Sequence, residues 1–332
     1  MPARCRRCMT ATACRSKRCC ARSKTGWGNE MGHHAVGIVG LGSMGLGMAR
    51  NILGAGISLK GYDIFEGSRA ALAQSGGEVA ESVGATAEGV DVFMLMVVTA
   101  AQAEDVIFGA GNAIASLKPG AAVMLCSTVA PSESKALGER VIAAGFEYLD
   151  APVSGGKTGA DAGSLTLMCS GSDAAFETAE AVLKAISRVV HRLGKEPGLG
   201  ATYKVVHQLA AGVHLVVAAE LMALGARAGC DAHKLYEIVT QSAGSSWMMT
   251  DRVPHILNND YTPRSMVDIF IKDLGLVLQT GAENGVPLPL SAVAHQMFLA
   301  ASGMGYGELD DSAVVKAYEA LTGEPVVPGD SS

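Results

Sequence analysis

Lys204 stands in the run Gly198-x-Gly200-x-x-x-Lys204-x-x-His207-Gln208, at the head of a stretch that stays almost wholly apolar as far as Arg227. Buried segments seldom carry lysine, so an amine is being placed where water is scarce. If the stretch is helical, His207 and Gln208 fall at i+3 and i+4 from Lys204, which puts an amine, an imidazole and an amide on one face within about one turn. Desolvation lowers the pKa of a lysine, and a cationic ligand beside it lowers it further. Such an amine can exchange a proton with an alcohol near neutral pH. The same residues also fit blander roles. Lys204 could snorkel at a helix end or pair with a carboxylate distant in sequence, and His207 could be a core histidine satisfied by a backbone carbonyl.

A second group lies near the start, where the apolar run Ala35-Val36-Gly37-Ile38-Val39 enters Gly40-Leu41-Gly42-Ser43-Met44-Gly45 and then a helical segment through Asn51. A strand, Gly-x-Gly-x-x-Gly and a helix in that order form the setting in which these glycines bind a dinucleotide. Gly40 permits the tight turn, Gly42 lets the backbone approach a pyrophosphate, and Gly45 allows close packing of helix on strand. The helix N-terminus supplies amides and a dipole for the anion. The residues expected on the cofactor here are Gly40, Leu41, Gly42, Ser43, Met44 and Gly45. A second strand, Ser58–Tyr62, ends in Asp63, 23 residues after Gly40, where an acid meets the adenosine ribose hydroxyls and repels a 2′-phosphate. NAD is therefore expected over NADP, although Asp63 also fits a loop or capping acid and Arg69 lies nearby.

The third group is Asp150-Ala151-Pro152-Val153-Ser154-Gly155-Gly156-Lys157-Thr158. Adjacent glycines beside a serine expose backbone amides and a hydroxyl, which suits the binding of a carboxylate. An ordinary turn between strands has the same composition.

The elements that must position these groups are legible from periodicity. Apolar strand candidates at 35–39, 58–62, 92–98, 121–126, 146–149, 165–169 and 188–192 alternate with helical segments, which predicts a mostly parallel sheet with helices on both faces. From Gly198 onward strands cease. Residues 205–226 form a proline-free helix, apolar around most of its circumference and hence buried between larger bodies. Further helices are separated by breaks near Cys230, 242–247, 258–263 and 287–289. The reading is an α/β Rossmann-type domain over 33–196, joined by a long helix to an all-α domain over 197–323. A basic arm over 1–32, disordered or untranslated ahead of Met31, precedes it and a loose tail over 324–332 follows.

The three motifs, in this order, resemble the β-hydroxyacid dehydrogenase family, of which 3-hydroxyisobutyrate dehydrogenases are members. The resemblance covers residues 35 to about 322. The segments Lys204–His214, Ala243–Met249, Tyr261–Leu276 and Gly305–Val314 look like the branch that oxidises L-threonate. It implies NAD as cofactor and Lys204 as catalytic acid/base. Ser154, Gly155 and Gly156 would hold the substrate carboxylate, with Thr128 near the nicotinamide, Val97 and Val98 along the cofactor, and Lys272 reaching it from the second domain. One departure bears on the substrate. Many members carry asparagines at i+3 and i+4 from the lysine, and this chain has His207 and Gln208, which are expected to contact substrate hydroxyls. The runners-up are 3-hydroxyisobutyrate oxidation, tartronate semialdehyde reduction, an imine reductase relative and a non-catalytic NAD-binding module.

Composition fits an enzyme of two cores, at 332 residues and 49% hydrophobic. Eight Arg or Lys and one Glu in residues 1–30 carry +7, which leaves −13 for the rest of a chain of net charge −6 and disfavours nucleic-acid binding by the body. Five of the eight cysteines fall in the arm, without the second pair or the histidine that a zinc site needs, so no metal is expected. Cys126, Cys169 and Cys230 are isolated from one another and predict reduced thiols in a cytoplasmic protein. The longest apolar stretches, around Val92–Ala101 and Leu215–Leu224, are short or interrupted by Glu220, so no membrane partner is expected. The apolar helix exceeds what one helical domain would bury, which predicts a homodimer or homotetramer.

Overall fold

The computed structural model describes residues 34–327. The basic arm and the last five residues of the expected loose tail lie outside them.

The first half alternates strand and helix: β1 (Ala35–Val39), α1 (Ser43–Gly54), β2 (Ser58–Tyr62), α2 (Glu66–Gln74), β3 (Glu78–Val79), α3 (Val83–Ala87), β4 (Val92–Leu95), α4 (Ala100–Phe108), α5 (Ala113–Ser116) and β5 (Ala122–Leu125). It continues with α6 (Pro131–Ala143), β6 (Glu147–Asp150), β7 (Val153–Ser154), α7 (Gly156–Asp161), β8 (Leu165–Gly171), α8 (Asp173–Ile186) and β9 (Ser187–Gly194). The strands form one sheet in the order β3-β2-β1-β4-β5-β6-β8-β7, with β9 also on β8. All neighbours are parallel except β6 with β8 and β7 with β8. Because successive side chains on a strand point to opposite faces, Val92 and Met94 of β4 enter one core with α1 and α8, while Phe93 and Leu95 enter the other. This is a doubly wound Rossmann-type sheet. Its order reverses between β1 and β4, so the crevice beyond the carboxyl ends of those two strands is the place for a ligand.

One strand expectation shifts, and two strands stand outside the expected set. The strand expected over 92–98 stops at Leu95, because the amide of Val97 turns to Ser127 Oγ and that of Val98 to Gln102 Oε1. The two unexpected strands, β3 and β7, have two residues each and no period to read.

The second half is helical: α9 (Leu199–Arg227), α10 (Ala232–Thr240), α11 (Trp247–Leu257), α12 (Val267–Glu283), α13 (Pro289–Ala301) and α14 (Val315–Thr322). By length and composition α9 could span a bilayer, contrary to the reading that Glu220 interrupts it. Its packing makes it the central core helix instead: Leu215, Ala219 and Met222 join Val253, Leu274 and Phe298 in one cluster. Its amino end is anchored on the sheet, where Gly200 N donates to Ser170 Oγ and Ala201 N to Asp150 Oδ2. The tail is not loose over 324–327. Val326 is buried in the helical core, its amide donates to Glu319 Oε1, and Glu324 pairs with Arg227.

Candidate active site

One cleft of about 1060 Å³ runs between the sheet's carboxyl edge and the helices. It is lined by Gly42, Ser43, Met44, Gly45, Val97, Val98, Thr128, Ser154, Gly155, Gly156, Lys204, His207, Gln208 and Lys272. Fourteen of the seventeen expected site residues thus come together. Gly40, Leu41 and Asp63 stand behind the cleft's lining. Leu41 turns its side chain into the core and its amide donates to Asp63 Oδ2 at 2.7 Å, while Asp63 Oδ1 accepts from Phe65 N at 2.9 Å. The acid at the end of β2 therefore braces the glycine turn.

The glycines of that turn have different reasons to be glycine. Gly40 lies at φ +96°, and a Cβ there would sit 2.3 Å from Met96 O; one on Gly45 would sit 1.9 Å from Gly40 O. A Cβ on Gly42 would meet no protein atom within 4 Å, so packing within the chain does not demand glycine there. The helix that follows has no side-chain cap and no acidic residue in its first turn, which leaves its amino-terminal dipole to an external anion. A bare cradle and an uncapped helix fit the pyrophosphate of a dinucleotide.

Across the cleft, Lys204 is 6% exposed and its Nζ donates to Gln208 Oε1 at 2.7 Å. Burial pulls its pKa from 10.5 to about 8, against the opposing pull of Asp273 and with help from Lys272. Gln208 Nε2 donates to Asp273 Oδ2 at 2.5 Å. His207 Nδ1 lies 3.1 Å from Gln208 Oε1 and its Nε2 lies 3.3 Å from Ser154 Oγ. Burial, with the Lys204 charge, holds this imidazole below its usual range, so it is neutral.

These contacts admit one consistent assignment. An ionised carboxylate only accepts, so the Gln208 amide nitrogen faces Asp273 and its oxygen faces Lys204 and His207. The oxygen cannot donate, so His207 carries its proton on Nδ1, and Nε2 then accepts from the Ser154 hydroxyl. The serine proton points at the histidine and the serine lone pairs point elsewhere.

Sequence reasoning missed several members of the site. Asp273 is buried on the inward stripe of α12 with Phe270, Leu274 and Val277, and its Oδ1 lies 2.8 Å from Lys272 Nζ. Lys272 Nζ donates to the carbonyl of Thr128 at 2.7 Å, tying α12 to the loop after β5. Arg252, buried on α11 and bonded to Asp311, also lines the cleft, as does Asp251. The pairing of Arg252 with Asp311 spans 59 residues and leaves no local signal.

A family model described as the NAD binding domain of 6-phosphogluconate dehydrogenase matches residues 35–194. One described as NAD-binding of NADP-dependent 3-hydroxyisobutyrate dehydrogenase matches residues 198–318. The chain is 47% identical to the L-threonate dehydrogenase of Escherichia coli over 288 residues, 86% of this chain and 95% of that protein. It is 35% identical to the 2-(hydroxymethyl)glutarate dehydrogenase of Eubacterium barkeri, over 89% of this chain and 98% of that one. A crystal structure of 3-hydroxyisobutyrate dehydrogenase from Salmonella typhimurium is similar at TM-score 0.81 and 47% identity, covering 85% of this chain and 99% of that one. A Streptomyces aurantiacus imine reductase, 21% identical at TM-score 0.59 over 85% of this chain and 99% of that one, shares the fold.

Proposed function

The chain belongs to the β-hydroxyacid dehydrogenase family, and from that premise we propose that it oxidises L-threonate at C2 to 2-dehydro-L-erythronate with NAD. The observation that carries this reading is the buried Lys204 amine, its pKa brought down to about 8, in one cleft with the glycine turn and Ser154–Gly156. Similarity to L-threonate dehydrogenases along most of the chain supports the choice of acid.

In this reading the amides of Gly155 and Gly156 take the substrate carboxylate. Ser154, expected on the carboxylate, has its proton committed to His207 and instead accepts a hydrogen bond from a substrate hydroxyl, while His207 and Gln208, expected on substrate hydroxyls, orient Ser154 and hold Lys204 in place. The neutral Lys204 amine takes the C2 hydroxyl proton, and in the reverse direction it returns it. The bound nicotinamide supplies the hydride acceptor. Val97, Val98, Thr128 and Lys272 are the residues that would flank it, and the Asp63 carboxylate at the end of β2 supports NAD over NADP.

Buried Cys126 and Cys169, both thiols pushed up by burial, suit a reducing cytoplasm, and a four-carbon sugar acid suits a catabolic role. Tyr203, Val206, Val217 and Leu224 leave an apolar side of α9 exposed, which supports a second copy of this chain as partner.

The test is the initial rate of NADH formation with L-threonate, D-threonate, 3-hydroxyisobutyrate and glycerate, and of NADH consumption with tartronate semialdehyde, each repeated with NADP and with Lys204→Ala. Preference for L-threonate and NAD, lowered about 100- to 10,000-fold in the variant, is expected. Preference for another acid moves the substrate. Turnover that survives in Lys204→Ala overturns the mechanism.

A further inference from the structure

Arg252 is the one strongly buried cation of the cleft that the proposed chemistry leaves without a task. Its side chain is 6% exposed, and two carboxylates grip it. Nε donates to Asp311 Oδ1 at 2.6 Å, Nη2 lies 3.3 Å from Asp311 Oδ2, and Nη1 pairs with Asp251. A guanidinium has five N–H donors, so two, one on each Nη, have no partner among the described residues.

The geometry says where those two donors face. Nη2 and Nη1 lie 3.6 and 4.0 Å from the point a Cβ on Gly156 would occupy, and the outer edge of Trp247 lies 3.9 Å from it. Both Nη atoms therefore lie beside the Ser154–Gly156 turn at the cleft wall. The indole beside it, with Arg252 Cζ 5.8 Å from the ring centroid, walls that end of the space.

The charge balance says what kind of group fits. One cation between Asp251 and Asp311 leaves the cluster net negative, which opposes a second carboxylate. A hydroxyl meets no such penalty. It can accept from an Arg252 N–H and donate to Asp251, whose side chain is 22% exposed at the edge of the cleft. We propose that Arg252 and Asp251 form a subsite that reads the hydroxyl groups of the substrate beyond the oxidised carbon, and that this pair selects polyhydroxy acids over acids of the same length ending in an alkyl group. Selection arises because an alkyl end would leave the buried donors desolvated and unpaired, a penalty that apolar pockets cannot impose. The inference rests on the reading of the cleft as a hydroxy-acid site.

The test compares L-threonate with 2-hydroxybutanoate of the same C2 configuration, which has the four carbons and lacks the C3 and C4 hydroxyls. For each acid kcat/KM is measured, and for an acid that does not turn over, its inhibition constant against L-threonate. In the unaltered enzyme the analogue is expected to be poorer by about 1,000-fold or more. Arg252→Lys and Asp251→Asn are each expected to raise KM for L-threonate by about 10- to 100-fold, to change the constant for 2-hydroxybutanoate by less than about threefold, and to leave NADH affinity unchanged. Asp251→Asn keeps the Arg252–Asp311 pair and so reads the subsite even if Arg252→Lys fails to fold. Equal losses on both acids overturn the proposal and make Arg252 a carboxylate ligand or a prop of the fold. An unaltered enzyme that uses both acids equally overturns it while the dehydrogenase reading stands. If no hydroxy acid is oxidised or bound, the dehydrogenase reading beneath it fails.

Discussion

Gln208 Nε2 donates to Asp273 Oδ2 over 2.5 Å, and this contact between α9 and α12 sets the sense of every hydrogen bond from Asp273 out to Ser154. It also places a negative charge one residue's reach from the Lys204 amine. The carboxylate thus acts twice, once through geometry and once through its field.

Asp273→Asn removes both, and the rate and the pH midpoint read them separately. An amide at 273 can donate as well as accept, so Gln208 is free to turn its nitrogen toward Lys204 and the chain of hydrogen bonds loses its fixed direction. The field of Asp273 raises the Lys204 pKa, so its removal moves that pKa below about 8. The expected result is a kcat/KM about 10- to 100-fold lower, with the pH midpoint of oxidation displaced to lower pH. A lower rate with an unmoved midpoint would leave Asp273 a purely structural residue.

Lys204 itself predicts opposite pH profiles for the two directions of reaction. Oxidation needs the neutral amine, so kcat/KM rises with pH and levels off above about 8; reduction needs the ammonium and declines over the same range. The same shift is a cost to the fold. The folded-state pKa lies below the ordinary 10.5, so the penalty of a buried ammonium is complete below pH 8 and is relieved as pH rises from 8 toward 10.5. Lys204→Met is therefore expected to abolish turnover while raising stability at pH 7 by about 1 to 3 kcal/mol, an advantage that shrinks above pH 8. Thermal denaturation at pH 7 and pH 9.5 checks it.

The glycine turn predicts a division between binding and folding. Gly42→Ala adds a methyl that meets no protein atom, so stability without cofactor should hold within about 0.5 kcal/mol while NADH affinity falls by about tenfold or more. Gly45→Ala forces a methyl onto the Gly40 carbonyl and should cost several kcal/mol before any ligand is added, on the order of a severe backbone clash. Melting curves and an NADH titration of both variants measure the split. Equal effects on stability would contradict it.

What could be read in the sequence was whatever repeats or clusters locally. The face shared by Lys204, His207 and Gln208 was legible because three polar groups at helical spacing stand in an apolar run, and the glycine turn because strand, glycines and helix are contiguous. Asp273 was hidden by its neighbour, since Lys-Asp reads as an exposed pair. The spacing of Phe270, Leu274 and Val277 would have set it on the buried stripe. Arg252 and Asp311 could not be paired in advance, because only the docking of α11 against the turn after residue 310 brings them together. The two-residue strand β7, which aims Ser154 at the cleft, is defined by its register on β8 and has no pattern of its own.

Asp150 joins the sheet to the helix that carries Lys204, and its titration should be visible in stability. The residue closes β6, is fully buried, and accepts from Ala201 N at 2.8 Å in the first turn of α9; its other oxygen has no partner among the described residues. A carboxylate at a helix amino end is favoured by the dipole, but here burial outweighs that and raises its pKa from 3.8 to about 6. A raised acid penalises the fold when ionised, so the cost is complete well above pH 6, is lifted as pH falls from 6 through 3.8, and is gone only below that, where folded and unfolded chains are both protonated. Asp150→Asn, which keeps an acceptor for Ala201, should melt higher than the unaltered protein at pH 8, by about 1 to 3 kcal/mol, and should lose most of that lead by pH 4.5. A lead that is the same at both pH values would mean that the ionised form carries no penalty. A lower melting temperature at pH 8 would mean that the helix dipole, and not burial, governs this carboxylate.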